Sequence, residues 1–238
     1  MSLSIQDARL LEGMQKTLAQ VKGMPLHANA AAIRDLSATL LTDAHADFKK
    51  AMEAEDLEEV QAIEARLELS SQRDVLATSF SKLYFALHAG ILDRKMNDDE
   101  DADTRELSQY LAKMSPSEFQ KVGLDNALLV MDRARRFGDR FVPDALADRV
   151  LSVVDEVVEK TRFKRDALGK ENAQAVSALA KLEHAREEAK TQFLAARDLM
   201  SAAMRVADEH DKLNQVFPAL NGMLSPRKSA ASDAAAKV

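Results

Sequence analysis

The chain has 238 residues, 46% apolar and 30% charged, enough to bury a sizeable core and too apolar for a disordered polymer. Acids outnumber bases 39 to 33, and the net charge of −6 argues against general affinity for nucleic acid. With no cysteine, disulfides, thiolate metal sites and cysteine nucleophiles are excluded. No stretch offers roughly 18 uncharged apolar residues for a membrane span, and Met1–Gln20 lacks the cationic start and apolar run of a secretion signal. A cytoplasmic location is the expectation.

Forty alanines against 7 glycines and 5 prolines make the chain helix-prone throughout. The breakers are unevenly placed. Between Pro25 and Gly90 lie 64 residues with neither, and between Pro143 and Pro218 lie 74 interrupted only by Gly169. No run alternates like a strand bounded by turns. The fold class is therefore all-α.

At the amino end, Ile5, Leu10, Leu11, Met14, Leu18 and Val21 share a helical stripe, with Asp7, Arg9, Glu12 and Lys16 largely off it. This gives an amphipathic helix within residues 1–24, ended by Gly23 and Pro25 and expected to dock on its own bundle. The first long arm, 25–90, carries Ile33, Leu36, Leu40, Ala44, Phe48 and Met52 at steps of three and four. After Glu53–Asp56 the stripe restarts as Leu57, Val60, Ile63 and Leu67. After Ser70–Asp74 it restarts as Leu76, Phe80, Leu83, Leu87 and Ile91. Such phase slips are either helix boundaries or stutters in one rod.

The region 91–142 reads as a head of short helices. Met96–Asp103 is an acidic loop, Thr104 is a candidate helix cap, and Ser115-Pro116-Ser117-Glu118 has the form of a capping box. Seven of the eleven aromatic residues fall between Phe80 and Phe141, among them Tyr84, Phe85, Tyr110, Phe119 and Phe137, which points to a compact aromatic core. The second long arm, 143–217, opens with Pro143 in a helix first turn. It carries Leu146, Val150, Val153, Val154, Val157 and Val158, then a small-residue seam of Leu182, Ala185, Ala189, Ala196, Met200, Ala203 and Ala207. Residues 218–238 hold little to bury and are expected to form a disordered tail. Together these parts predict an elongated antiparallel helical hairpin with coiled-coil-like arms; a compact multi-helix bundle is the alternative.

Motifs for chemistry are sparse. None of the five histidines has an acid three residues before it, so the di-iron Glu-x-x-His pattern is missing, and no His-Glu-x-x-His occurs. Asp99, Asp101 and Asp103 begin like an EF-hand loop, but Thr104 and Tyr110 stand where its glycine and glutamate belong. No glycine-rich phosphate loop or nucleophile elbow is present. No catalytic, cofactor or metal residue is assigned.

Two basic clusters remain. Arg133, Arg136 and Arg140 share a helical face, beside Arg135, Phe137 and Phe141; Arg162, Lys164 and Arg165 surround Phe163 with Lys160. Arginine suits bidentate carboxylate or phosphate contacts, so these six residues form a candidate surface for an anionic partner, membrane or nucleic acid. The competing reading is internal: they pair with the acidic loop and the Glu53–Glu68 stretch. The leading functional expectation is a non-enzymatic structural or interaction protein, a scaffold or assembly element that self-associates or docks a protein partner. An anionic-surface binding module and an α-helical enzyme with an unrecognised acid–base site are the alternatives.

Overall fold

The computed structural model describes residues 5–220 and Leu224, and among them there is no strand. The helices are α1 (Ile5–Gly23), α2 (Ala28–Met96), α3 (Ala102–Lys113), α4 (Pro116–Phe119), α5 (Leu124–Phe141), α6 (Asp144–Val206) and α7 (Leu213–Val216), the last preceded by a 3-10 turn at His210–Lys212. The protein is all-α, and within each of its two compact units the long helices α2 and α6 run antiparallel. The expected tail from Ser225 onward lies outside the described residues. The chain divides into two compact units, the first running to Glu59 and resuming at Gln174, the second being Val60–Ala173.

In the first unit, α2 and α6 run antiparallel. The Ser37 hydroxyl donates to the Ala196 carbonyl at 2.8 Å, while Glu58 and Gln174 border one groove. Ala189, Ala196 and Ala203 are buried along α6. Their small side chains let the helices approach closely enough for a serine to reach a main-chain carbonyl. Phe48 and Phe193 fill the core, Phe217 closes on Phe193 with ring centroids 5.3 Å apart, and Leu10, Met14 and Val21 seat α1 on it. The sequence stripe puts Asp7 off the apolar face, yet Asp7 is 2% exposed. Its carboxylate accepts two hydrogen bonds from the Arg186 guanidinium, at 2.5 and 2.7 Å. A buried charge needs such a partner, and the pair fixes where α1 lies on α6. Arg34 donates to the Met24 carbonyl at 2.6 Å, which ties down the turn between α1 and α2.

In the second unit, Arg66 meets Asn172 and Gln72 lies beside Thr161, so the long helices are again antiparallel. Leu76, Phe80, Leu83, Leu87 and Ile91 of α2 pack with Leu107 and Leu111 of α3, Phe119 of α4, Leu128 and Met131 of α5, and Val154, Val157 and Val158 of α6. Phe80 stacks on Phe119 with centroids 4.1 Å apart. The cap of α3 is Asp101, not Thr104. Its carboxylate accepts from the Thr104 amide at 2.8 Å and the Thr104 hydroxyl at 2.7 Å, so the helix begins three residues earlier than the sequence suggests. Ser115 does cap α4. The reciprocal half of the capping box does not form, because Glu118 pairs with Lys121 instead.

Helix α2 runs unbroken through both acidic and polar interruptions. The phase set by Phe48 and Met52 therefore carries on to Ala62 and Gln72, which are buried. Leu57, Val60, Ile63 and Leu67, expected as seam, face outward at 57%, 51%, 40% and 66% exposure. Helix α2 also contains an 18-residue window of mean hydropathy 1.3 with at most two charges, long and apolar enough by composition to cross a bilayer. The uninterrupted-run criterion misses it. The window is 44% buried within the protein, where one side of a core helix serves the interior.

Candidate functional site

The α5 sequence places Arg133, Arg136 and Arg140 on one face, and its apolar residues Leu128, Met131 and Ala134 fix that face by burying the other. Arg140 binds the acidic loop: its guanidinium reaches Asp101 at 2.7 Å and also contacts Asp103. Arg94 reaches the same Asp101 at 3.3 Å, donates to the Arg140 carbonyl at 3.1 Å, and lies 4.3 Å from the Phe141 ring centroid. The Asp101 carboxyl is held below its usual range, first by the hydrogen bonds from Thr104 and then by the two guanidinium groups. Arg133 pairs with Glu106 at 3.4 Å and covers the Tyr110 ring at 5.0 Å. Tyr110 is pushed up to about 12 by burial, and its hydroxyl donates to the Val130 carbonyl at 2.9 Å.

The second cluster is paired as well. Arg162 meets Asp132 at 2.5 Å, Lys164 meets Glu68 at 3.4 Å, and Arg165 meets Asp125 at 3.2 Å and Asp166 at 2.9 Å. Arg135, between the α5 arginines in sequence, forks onto Asp155 at 2.8 and 3.0 Å and also bonds Asp139 at 2.7 Å. Its guanidinium pKa is raised, chiefly by the hydrogen bonds it donates to Asp155. These contacts join α5 to α6, α2 to α6 and the acidic loop to α5. Asp132, the partner of Arg162, also lines a cavity with Arg133 and Arg136, so the two clusters adjoin there with carboxylates set between their charges.

One of the six candidates differs. Arg136 is exposed and has no carboxylate partner among the described residues. It lines an open cavity of about 500 Å³ with Glu106, Leu129, Asp132, Arg133 and Phe137. Leu129 there is 65% exposed. One guanidinium beside an apolar wall can hold a single anionic group; it cannot track a polyanion.

Two further grooves are present. One of about 400 Å³ in the first unit is lined by Asp47, Lys50, Glu58, Gln174, Ser177 and Lys181, and the Glu58 Oε2 has no hydrogen-bond partner. Another of about 510 Å³ in the second unit is lined by Ser70, Arg73, Asp74, Thr78 and Ser81 over Phe119. Among the described residues, no three acidic or histidine side chains converge as metal ligands.

The feature that sequence reasoning missed is an apolar strip on the back of α2. Phe85, Leu92 and Met96 are 65%, 59% and 78% exposed, and Ala89 lies between them. The signal was present in the spacing of four, three and four. It was hidden because Phe85 was grouped with the core aromatics by proximity in sequence. The chain matches no protein-family model, and no curated protein or solved structure is significantly similar to it.

Proposed function

We propose that this chain is a non-enzymatic structural or interaction protein, a cytoplasmic scaffold or assembly element that docks other protein surfaces along its long helices. The observation that carries the reading is the row of large apolar side chains turned outward on α2, Phe85, Leu92 and Met96. Apolar side chains grouped on an exposed helix face mark an interaction site, whereas scattered single ones carry no such meaning. The ion pairs support the same reading from the other side, since carboxylates of the chain itself already occupy five of the six basic candidates.

Photo-crosslinking tests this, with a crosslinkable residue at Leu92 or Leu67 in the full chain expressed in its native cell. Capture of a protein at these positions, with binding that persists in high salt, is the expected result. An anionic-surface module is the second reading, favoured only by Arg136 and its cavity. Binding to RNA or acidic vesicles that weakens steeply with salt, and is lost in Arg136→Ala, would shift the assignment to it.

A further inference from the structure

We infer that the groove between α2 and α6 in the first unit binds a free short peptide, with its amino terminus on Glu58 and its carboxy terminus on Lys50 and Lys181. This groove is separate from the apolar strip on α2, which belongs to the second unit. It exists because both helices carry small residues at one level. Ala51 and Ala54 of α2 and Ala178 of α6 line about 400 Å³, in a unit whose core is otherwise filled by side chains such as Phe48, Met52 and Leu182.

The polar residues around these alanines are Asp47, Lys50, Glu58, Gln174, Ser177 and Lys181. Not one of the six has a side-chain hydrogen bond or an ion pair among the described residues. Elsewhere in this unit charges are met locally: Lys16, Lys49, Lys190 and Lys212 each hold a glutamate three or four residues away. Lys181 has no acid at that spacing, and Glu58 has no base. Glu58 points most directly to a ligand. Its Oε2 is shut off from solvent and receives no donor. A carboxylate oxygen in that state costs free energy until a donor reaches it, and an ammonium group makes one of the strongest such bonds.

The placement of the charges sets the shape of the ligand. Ser37 of α2 bonds Ala196 of α6, and Glu58 borders the groove with Gln174. This antiparallel register sets Lys181 level with Ala51, within a turn of Lys50. Two ammonium groups thus flank one end of the groove and a carboxylate the other, about 9–12 Å apart along the helix axis at 1.5 Å per residue. Asp47 lies beyond the lysines, so the lining is balanced in charge. A polyanion or a polycation meets repulsion at one end; a molecule with one charge of each sign at opposite ends does not. A free peptide of two or three residues has that form, about 7–10 Å long when extended. Gln174 and Ser177 would bond its amides, and the alanines leave room for small apolar side chains.

Titration of the isotope-labelled full chain with trialanine, followed by amide NMR shifts, tests this. Shifts confined to residues 47–58 and 174–181 are expected, and binding should weaken with salt. Trialanine acetylated at its amino end should bind about tenfold more weakly to the unaltered chain, and Glu58→Gln should abolish that difference. Trialanine amidated at its carboxy end should also bind more weakly, and Lys50→Gln with Lys181→Gln should abolish that difference in turn. Ala54→Leu, which fills the groove from an exposed position, should eliminate binding. Free and blocked peptides are compared on the same variant, so a change in folding cannot mimic these results. No shift at millimolar trialanine overturns the inference, as does equal binding of free and blocked peptides. A preference for the free amine that survives Glu58→Gln also overturns it.

Discussion

Gly90 lies where α2 crosses the end of α5, and Gly90→Ala tests how tight that crossing is. A Cβ built there falls directly onto the Phe141 carbonyl oxygen and within 2.7 Å of the carbonyl carbon and 3.3 Å of its Cα. Carbon atoms in contact sit about 3.5–4.0 Å apart, so the two backbones must separate by roughly 1 Å. No rotamer change relieves this, because the obstacle is main chain. The displaced segment holds Phe141 in the core at 2% exposure and the Arg140 carbonyl that Arg94 bonds. Overpacking costs about 1–3 kcal/mol, and the upper end applies to a backbone clash. Alanine's helix preference returns about 1 kcal/mol. A net loss of about 2 kcal/mol is expected from these two effects.

Urea unfolding followed by circular dichroism measures it, with two internal standards. Gly169→Ala, where a Cβ meets nothing within 4 Å, should stabilise by up to about 1 kcal/mol. Gly138→Ala meets the flexible end of Leu151 at 2.5 Å and should fall between the two. A Gly90→Ala protein as stable as Gly169→Ala would refute the close crossing.

Asp7→Ala should lose about 3–5 kcal/mol by leaving the Arg186 guanidinium unpaired, and Asp7→Ala with Arg186→Met should recover part of it in the same unfolding assay. Phe119→Ala should cost about 3–5 kcal/mol, since the ring is buried against Phe80, whereas Phe85→Ala should change monomer stability by no more than about 0.5 kcal/mol. His45 has its pKa lowered by burial and then by Lys49, and its Nε2 has no partner. The unfolded chain therefore takes up the proton first, and stability should fall as pH drops below 6.5, with His45→Gln flattening that part of a melting-temperature profile. For Tyr110 the sign is reversed: with its pKa raised from 10 to about 12, stability should decline across that interval, and ultraviolet titration should show one of the two tyrosines ionising late.

Helix content was legible because breakers are few, and the aromatic core was legible because Phe80 and Phe119 stand inside apolar periods. The facing of α2 between Glu53 and Asp74 was not. Leu57, Val60, Ile63 and Leu67 form as good a stripe as any other in the chain. Periodicity says that residues share a face; only an unbroken helix, phased by Phe48 and Met52, says which face it is. Asp7 illustrates a second limit, since a lone acid among apolar residues looks solvated until its partner, far along the chain, is known. For the arginines, both the open-surface reading and the internal-pairing reading fit the sequence. Their partners Asp101, Asp125, Asp132 and Asp155 arrive beside them only through tertiary packing.

The ion pair between Asp7 and Arg186 joins positions 179 residues apart, while the second unit is one uninterrupted stretch, Val60–Ala173. The ribosome makes these parts in a fixed order. At about 5–20 residues per second, some 10–40 s separate the synthesis of the aspartate from that of its arginine. For all that time the α1 acid is without its partner, while the stretch from Val60 can close behind it. Birth order thus makes the inner stretch the first to fold and the outer one the last.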